Sequence, residues 1–111
     1  MKLYKVFKTL NLELKTDDKA LTQEVTGVYV SDLLSDVMAN AKIGNLWLTL
    51  QVHQNIVAVA SLKELSGVLL VNNRQPETET IRKANEEGIP ILVADRPAFE
   101  LSGELFNLMD K

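Results

Sequence analysis

The segment 45–73, "NLWLTLQVHQNIVAVASLKELSGVLLVNN", decides the fold class of this chain. Its first part, 45–52, is almost entirely apolar, which is typical of a strand that is buried on both faces of a sheet. The part over 67–73 has the same character. Because two buried parallel strands need a crossover between them, we predict that 55–65 is a helix, although its β-branched residues favour a strand. The segment therefore predicts a strand–helix–strand unit.

Strands and helices alternate on both sides of this unit, with short connections. The predicted helices are 2–11, 33–42, 55–65, 76–88 and 97–111, and the predicted strands are 12–15, 24–30, 45–52, 67–73 and 89–95. This alternation predicts an α/β fold with layers of helices on a mainly parallel sheet. We find no linker and no internal repeat, so we expect one domain over 1–111.

Several residues are predicted to begin, end or anchor these helices. Ser31 and Asp32 precede the second helix and Asn55 opens the third, and all three are residue types that cap helix N-termini. Gly44 and Gly88 are expected to stop helices. The residues of the last helix that we expect to enter the core are Phe99, Leu101, Leu105 and Leu108.

Composition excludes several classes of protein. The 111 residues are 46% hydrophobic and 24% charged, as in a soluble globular domain, and they include no cysteine. Disulfides, thiolate zinc sites and cysteine nucleophiles are therefore excluded. No signal peptide or membrane-length apolar run is present, so we expect a cytoplasmic protein that does not bind membranes. The net charge of −3 disfavours nucleic-acid binding.

Polar side chains are concentrated where the predicted strands end. In open parallel sheets, ligands bind beyond the carboxyl ends of the strands. The residues that we predict to bind a ligand at this edge are Ser31, Asp32, His53, Asn55, Asn72, Arg74 and Arg96. The alternative is that these residues cap helices and solvate loops, as Asn and Asp ordinarily do.

His53 is the only histidine, and its ordinary pKa range suits proton transfer. A nucleophilic site would also need a Ser or Thr within hydrogen-bond reach, and no pattern identifies one. One histidine with scattered aspartates makes a poor metal site, and the phosphate-binding motifs GxxxxGK[ST] and GxGxxG are missing. We therefore expect no catalytic residue, no metal and no cofactor, and a structural or ligand-orienting role for His53.

The sequence resembles stand-alone DRTGG-domain proteins over about residues 1–108. The segments that carry the resemblance are "VSDLLSDVMA" (30–39), "LTLQVHQNIVAVA" (48–60) and "EEGIPILVAD" (86–95), although the pentapeptide that names the domain is not present. The family pattern around "SDLL" matches Ser31 and Asp32, and its "H-x-N" pattern matches His53 and Asn55. The family supplies no catalytic assignment for them.

The resemblance implies a three-layer α/β sandwich like the N-terminal domain of HPr kinase/phosphorylase. Similar domains lie between CBS pairs in some regulated pyrophosphatases, where they are regulatory or dimer-forming. Stand-alone members are associated with iron-only hydrogenase systems. We thus expect a non-catalytic, homodimeric module that senses a small polar or nucleotide-like ligand. Two alternatives remain, a pure protein-interaction module and a small enzyme with His53 as general base.

Overall fold

The computed structural model describes residues 1–109, which form five helices and five strands. The last two residues of the predicted helix 97–111 lie outside the described part. The elements are α1 (Leu3–Thr9), β1 (Glu13–Leu14), β2 (Gly27–Val30), α2 (Leu34–Asn40), β3 (Asn45–Thr49), α3 (Asn55–Leu62), β4 (Gly67–Leu70), α4 (Thr78–Glu87), β5 (Ile91–Val93) and α5 (Ala98–Met109). Each lies within the segment predicted for it, including the helix α3.

The strands form one five-stranded sheet in the order β1-β5-β4-β3-β2. The strands β2 to β5 are parallel to their neighbours, and only β1 at the edge is antiparallel. Successive strands from β2 to β5 are neighbours, so each crossover helix moves the chain one strand along the sheet. The sheet is therefore mainly parallel, as predicted.

Helices cover both faces of the sheet. One apolar cluster contains Leu3 of α1 and Leu101 of α5, and the other contains residues of α2, α3 and α4, among them Ile56. Within β3, Leu48 belongs to the first cluster and Trp47 to the second, which explains why this strand is apolar at successive positions. The three-layer α/β sandwich is confirmed.

The strands are shorter than predicted, and one core assignment is wrong. β4 ends at Leu70 because Asn72 and Asn73 have φ angles of 56° and 55° and turn the chain out of the extended conformation. Phe99 is 88% exposed, whereas Leu101 and Leu105 are buried. Phe99 lies two positions before Leu101, on a different face of α5, so the prediction that it enters the core is wrong.

Gly88 is the C-cap of α4, as expected, but the prediction that Gly44 stops α2 is wrong, because α2 ends at Asn40 with Ala41 as its C-cap. Gly88 follows α4 with a φ of 71°, and Gly44 lies between α2 and β3 with a φ of 83°. None of the helices in residues 1–109 has the length and apolarity that crossing a membrane requires.

Candidate functional site

A cavity of about 100 Å³ lies at the carboxyl edge of the sheet, and we call it the edge cavity. Its lining residues are Val30, Ser31, Asp32, Leu48, Thr49, Leu50, Val71, Asn72 and Ala98. It lies beside the first residue of α5, where the chain leaves the face covered by α4 for the opposite face. The cavity also lies beyond the carboxyl ends of β2, β3 and β4, which is where open α/β sheets bind ligands.

Asp32 connects the end of β2 to the end of β3. Its Oδ1 accepts hydrogen bonds from the hydroxyl of Thr49 at 2.8 Å and from the backbone N–H of Leu50 at 2.7 Å. Its backbone carbonyl accepts a third, at 2.9 Å, from the side chain of Gln51. The prediction that Asp32 caps α2 is wrong, because the N-cap is Leu33 and no side chain caps this helix. Asp32 instead holds two strand ends together.

Ser31 also makes local contacts. Its Oγ accepts a hydrogen bond from the N–H of Leu33 at 3.2 Å, and its carbonyl accepts one from Nε1 of Trp47 at 2.8 Å. These bonds fix the turn that precedes α2 and bring the buried indole to the strand end. Ser31 therefore shapes the turn before α2, and the prediction that it caps this helix is wrong as well.

A polar cluster beside Ser31 was not predicted. The hydroxyl of Tyr29 donates to both carboxylate oxygens of Asp36 at 2.9 Å, and Nδ2 of Asn40 donates to Oδ1 of Asp36, also at 2.9 Å. The pKa of Asp36 is lowered by hydrogen bonding from Ser31, which has the largest effect, and by hydrogen bonding from Tyr29 and Asn40. The hydrogen bond to Asp36 raises the pKa of Tyr29. The spacing of Asp36 and Asn40, one helical turn apart, could have indicated from the sequence that these two side chains meet.

Asn72 and Asn73 form a tight turn after β4. Both have positive φ, and the N–H of Arg74 donates to the carbonyl of Val71 at 3.1 Å, as in a type I′ turn. The N–H groups of the two asparagines donate to the carbonyls of Arg96 and Ala94, at 2.9 and 2.8 Å. Asparagine tolerates this conformation better than most residues, so the turn itself explains both asparagines. Only Asn72 also lines the edge cavity.

His53 and Asn55 lie outside the edge cavity, at the start of α3. Nδ1 of His53 accepts a hydrogen bond from the N–H of Asn55 at 3.2 Å, and both side chains are exposed. The N-cap position is Gln54, without a side-chain cap, so the prediction that Asn55 caps α3 is wrong. Among residues 1–109, no side chain hydrogen-bonds to the imidazole. His53 thus performs part of the capping expected of Asn55.

Arg74 and Arg96, the two arginines predicted at the ligand edge, differ in whether their side chains have partners. Nη2 of Arg96 donates to the carbonyl of Leu10 at 2.7 Å, and its Nε lies 2.7 Å from Oε1 of Glu104, so this guanidinium ties α1 to α5. Arg74 is exposed, and its side chain makes no hydrogen bond or ion pair with any residue from 1 to 109. Arg74 is therefore the guanidinium at this edge whose charge is available to an anion.

The structure brings Ser31, Asp32 and Asn72 together in one cavity and leaves the other predicted site residues outside it. The side chain that sequence reasoning missed is Thr49, which is 3% exposed and ends the otherwise apolar strand β3. The edge cavity is smaller than the roughly 300 Å³ that ligand sites usually offer, so it can enclose one polar group of a larger molecule.

Comparison with known proteins gives one informative likeness. No protein-family model matches the chain, and the search of curated proteins finds no match. Among solved structures, it is similar to the crystal structure of the CBS and DRTGG domains of the regulatory region of Clostridium perfringens pyrophosphatase, complexed with the activator diadenosine tetraphosphate. The TM-score is 0.73, at 16% identity over 94% of this chain.

The chain has a DRTGG-domain fold. This finding confirms the family resemblance of the sequence at the level of the fold. The match covers 45% of the pyrophosphatase chain, so this chain spans less than half of that regulatory region. The activator belongs to that region, and the identity of 16% transfers neither its ligand nor its activity.

Proposed function

We propose that the chain is a non-catalytic regulatory domain that senses a small polar or nucleotide-like ligand at the carboxyl edge of its sheet and acts as a homodimer. The observation that carries the proposal is the edge cavity, where Ser31, Asp32 and Asn72 meet at the ends of three parallel strands. The fold supports it, because the pyrophosphatase region that shares this fold is regulatory and is complexed with a nucleotide activator.

The size of the edge cavity constrains how such a ligand would bind. A volume of about 100 Å³ holds one polar group, so the rest of a nucleotide would lie over the exposed surface of the same edge. Arg74 would attract a phosphate there, and His53 and Asn55 would contact the ligand from the start of α3. Asp32, Ser31 and Arg96 would act through the backbone that they hold, because their side chains already have partners.

Calorimetric titration with a panel of AMP, ADP, ATP and diadenosine tetraphosphate tests this proposal. We expect heat from at least one compound in the wild type, and binding at least about tenfold weaker in Arg74→Ala, because a desolvated guanidinium–phosphate contact is lost. Lys42→Ala is the matched control, since it removes an equal charge from an exposed position at the amino edge. No heat with any nucleotide, or equal weakening in both variants, would contradict the proposal.

The absence of a reaction partner for His53 argues against the enzyme alternative. A general base needs a side chain with which to exchange protons, and within residues 1–109 the imidazole is bonded only to the backbone of Asn55. The role proposed for the chain is therefore non-catalytic, and a cytoplasmic location, which was expected from the sequence, is part of the same proposal. Association with iron-only hydrogenase systems is part of the same proposal, and measuring hydrogen evolution after deletion of the gene tests it.

A pure interaction module is the second candidate, and one observation favours it. An apolar concavity of about 380 Å³ lies along β2 and α5, and it shares only Val30 with the edge cavity. Such surfaces on small domains mark contacts with other proteins. Under this alternative no nucleotide binds, while substitutions in this concavity abolish assembly.

A further inference from the structure

The two edges of the sheet are protected very differently. At one edge, β1 has two residues, carries Glu13 and is followed by Lys15. At the other edge, β2 has the sequence GVYV, with neither charge nor proline, and within residues 1–109 its one hydrogen-bonded neighbour is β3. Natural proteins blunt free edges with charges, prolines or very short strands, because open strands pair with other chains. β1 has such protection and β2 lacks it.

An apolar concavity lies against this unprotected strand, and we call it the β2–α5 groove. Its lining residues are Thr26, Gly27, Val28, Val30, Ser102, Leu105, Phe106 and Met109, none of which is charged. Val30 is 50% exposed and Phe106 is 71% exposed, although both are large and apolar. Two further exposed apolar residues flank β2, Ile43 beside Thr26 and Leu33 after the strand. The strand edge and the groove form one continuous surface.

We propose that this surface binds a second copy of the chain, with the two β2 strands pairing antiparallel about a two-fold axis. The proposal rests on the homodimer proposed above and names its interface. The two five-stranded sheets would then form one continuous sheet, and Phe106 of each copy would pack against the groove of the other.

Three features favour a second copy over a foreign peptide as the occupant. An antiparallel strand pair about a two-fold axis is self-complementary, so the same four residues supply both halves of the contact. The pairing is also closed, because it leaves only the two short, charged β1 edges exposed and gives no template for further growth. Each copy carries a net charge of −3, and contact through the uncharged groove places no like-charged side chains against one another.

Sedimentation equilibrium of the full chain tests the interface. We expect a wild-type mass of twice 12.4 kDa. Val30→Lys and Phe106→Lys should each raise the dimer dissociation constant at least about a hundredfold, because an unpaired ammonium would be buried in the contact. Leu62→Lys is the matched control, since Leu62 is 70% exposed on α3, in the opposite layer, and its substitution should leave the mass unchanged. Circular dichroism establishes that each variant is folded.

Hydrogen exchange separates strand pairing from contact by α5 alone. Amides within Gly27–Val30 should exchange more slowly in the dimer than in Phe106→Lys, which is expected to be a folded monomer. A monomeric wild type overturns both this interface and the homodimer. A dimer that survives both lysine substitutions overturns only the interface, and equal exchange of β2 amides in dimer and monomer overturns the strand pairing. Nucleotide titration of Phe106→Lys reports on ligand sensing independently.

Discussion

Asp32→Ala tests whether Asp32 is a structural clamp. The substitution removes two hydrogen bonds to a carboxylate oxygen, from Thr49 Oγ1 at 2.8 Å and from the N–H of Leu50 at 2.7 Å. Because Asp32 is exposed, we take about 1 kcal/mol for each bond, below the usual range for charged acceptors. The hydroxyl of Thr49, which is 3% exposed, then loses its acceptor at a further cost of up to about 1 kcal/mol.

The expected loss in the free energy of unfolding is therefore about 2–3 kcal/mol, equivalent to roughly 10 °C in melting temperature for a domain of this size. Urea unfolding at neutral pH measures it, with Asp95→Ala as the matched control because Asp95 is an exposed carboxylate at the same edge. Thr49→Val allows a double-mutant cycle, in which a coupling of about 1 kcal/mol is expected. Equal stability of Asp32→Ala and Asp95→Ala would refute the clamp and restore Asp32 as a candidate ligand contact.

Three further comparisons between variants test the backbone conformation and one side-chain contact. Gly44→Ala should cost at least about 2 kcal/mol of unfolding free energy and Gly88→Ala only about 1 kcal/mol. Both glycines have positive φ, but only at Gly44 would the new Cβ lie 2.6 Å from Cγ2 of Thr26, and comparable losses in thermal melts would contradict this reasoning. Asn73→Val should destabilise by about 1–2 kcal/mol and Asn73→Gly should not, because a β-branched residue is strained at a φ of 55°; equal melting temperatures would disprove it. Because the pKa of Asp36 is lowered, its contribution to stability is present above the ordinary pKa of 3.8 and is lost as the pH falls through the lower folded-state value. The difference in unfolding free energy between wild type and Asp36→Asn, measured in urea, should therefore disappear in acid. A difference that does not depend on pH would count against this reasoning.

The order and type of the elements were predictable because apolar segments of strand length alternate with segments long enough to form crossover helices. The apolar run of β3 required burial on both faces, and the need for a crossover identified α3 as a helix despite its β-branched residues. The ends of the strands were less predictable. β4 stops where Asn72 and Asn73 turn with positive φ, and asparagine in sequence is equally compatible with a cap, a loop or a ligand contact.

The candidate site was harder to predict than the fold because side-chain partners depend on which strand ends meet. Asp32 was correctly placed at the carboxyl edge, but its acceptor role for Thr49 follows from the pairing of β2 with β3. The sequence likewise could not show that Arg96 reaches Leu10, which is far away along the chain. Phe99 was assigned to the core from apolarity alone, although it lies off the buried stripe of α5.

These assignments change what the polar edge can do. Asp32, Ser31 and Arg96 are already bonded within the fold, so their side chains contribute rigidity to the edge more than contacts to a ligand. A ligand at this edge is then left with Asn72 in the cavity and with Arg74 and His53 on the exposed surface. One guanidinium and one imidazole at the same edge as a cavity of about 100 Å³ favour a compact anionic group that enters from solvent. If a nucleotide binds here, its phosphate would therefore determine affinity more than its base, and inorganic phosphate should compete with it.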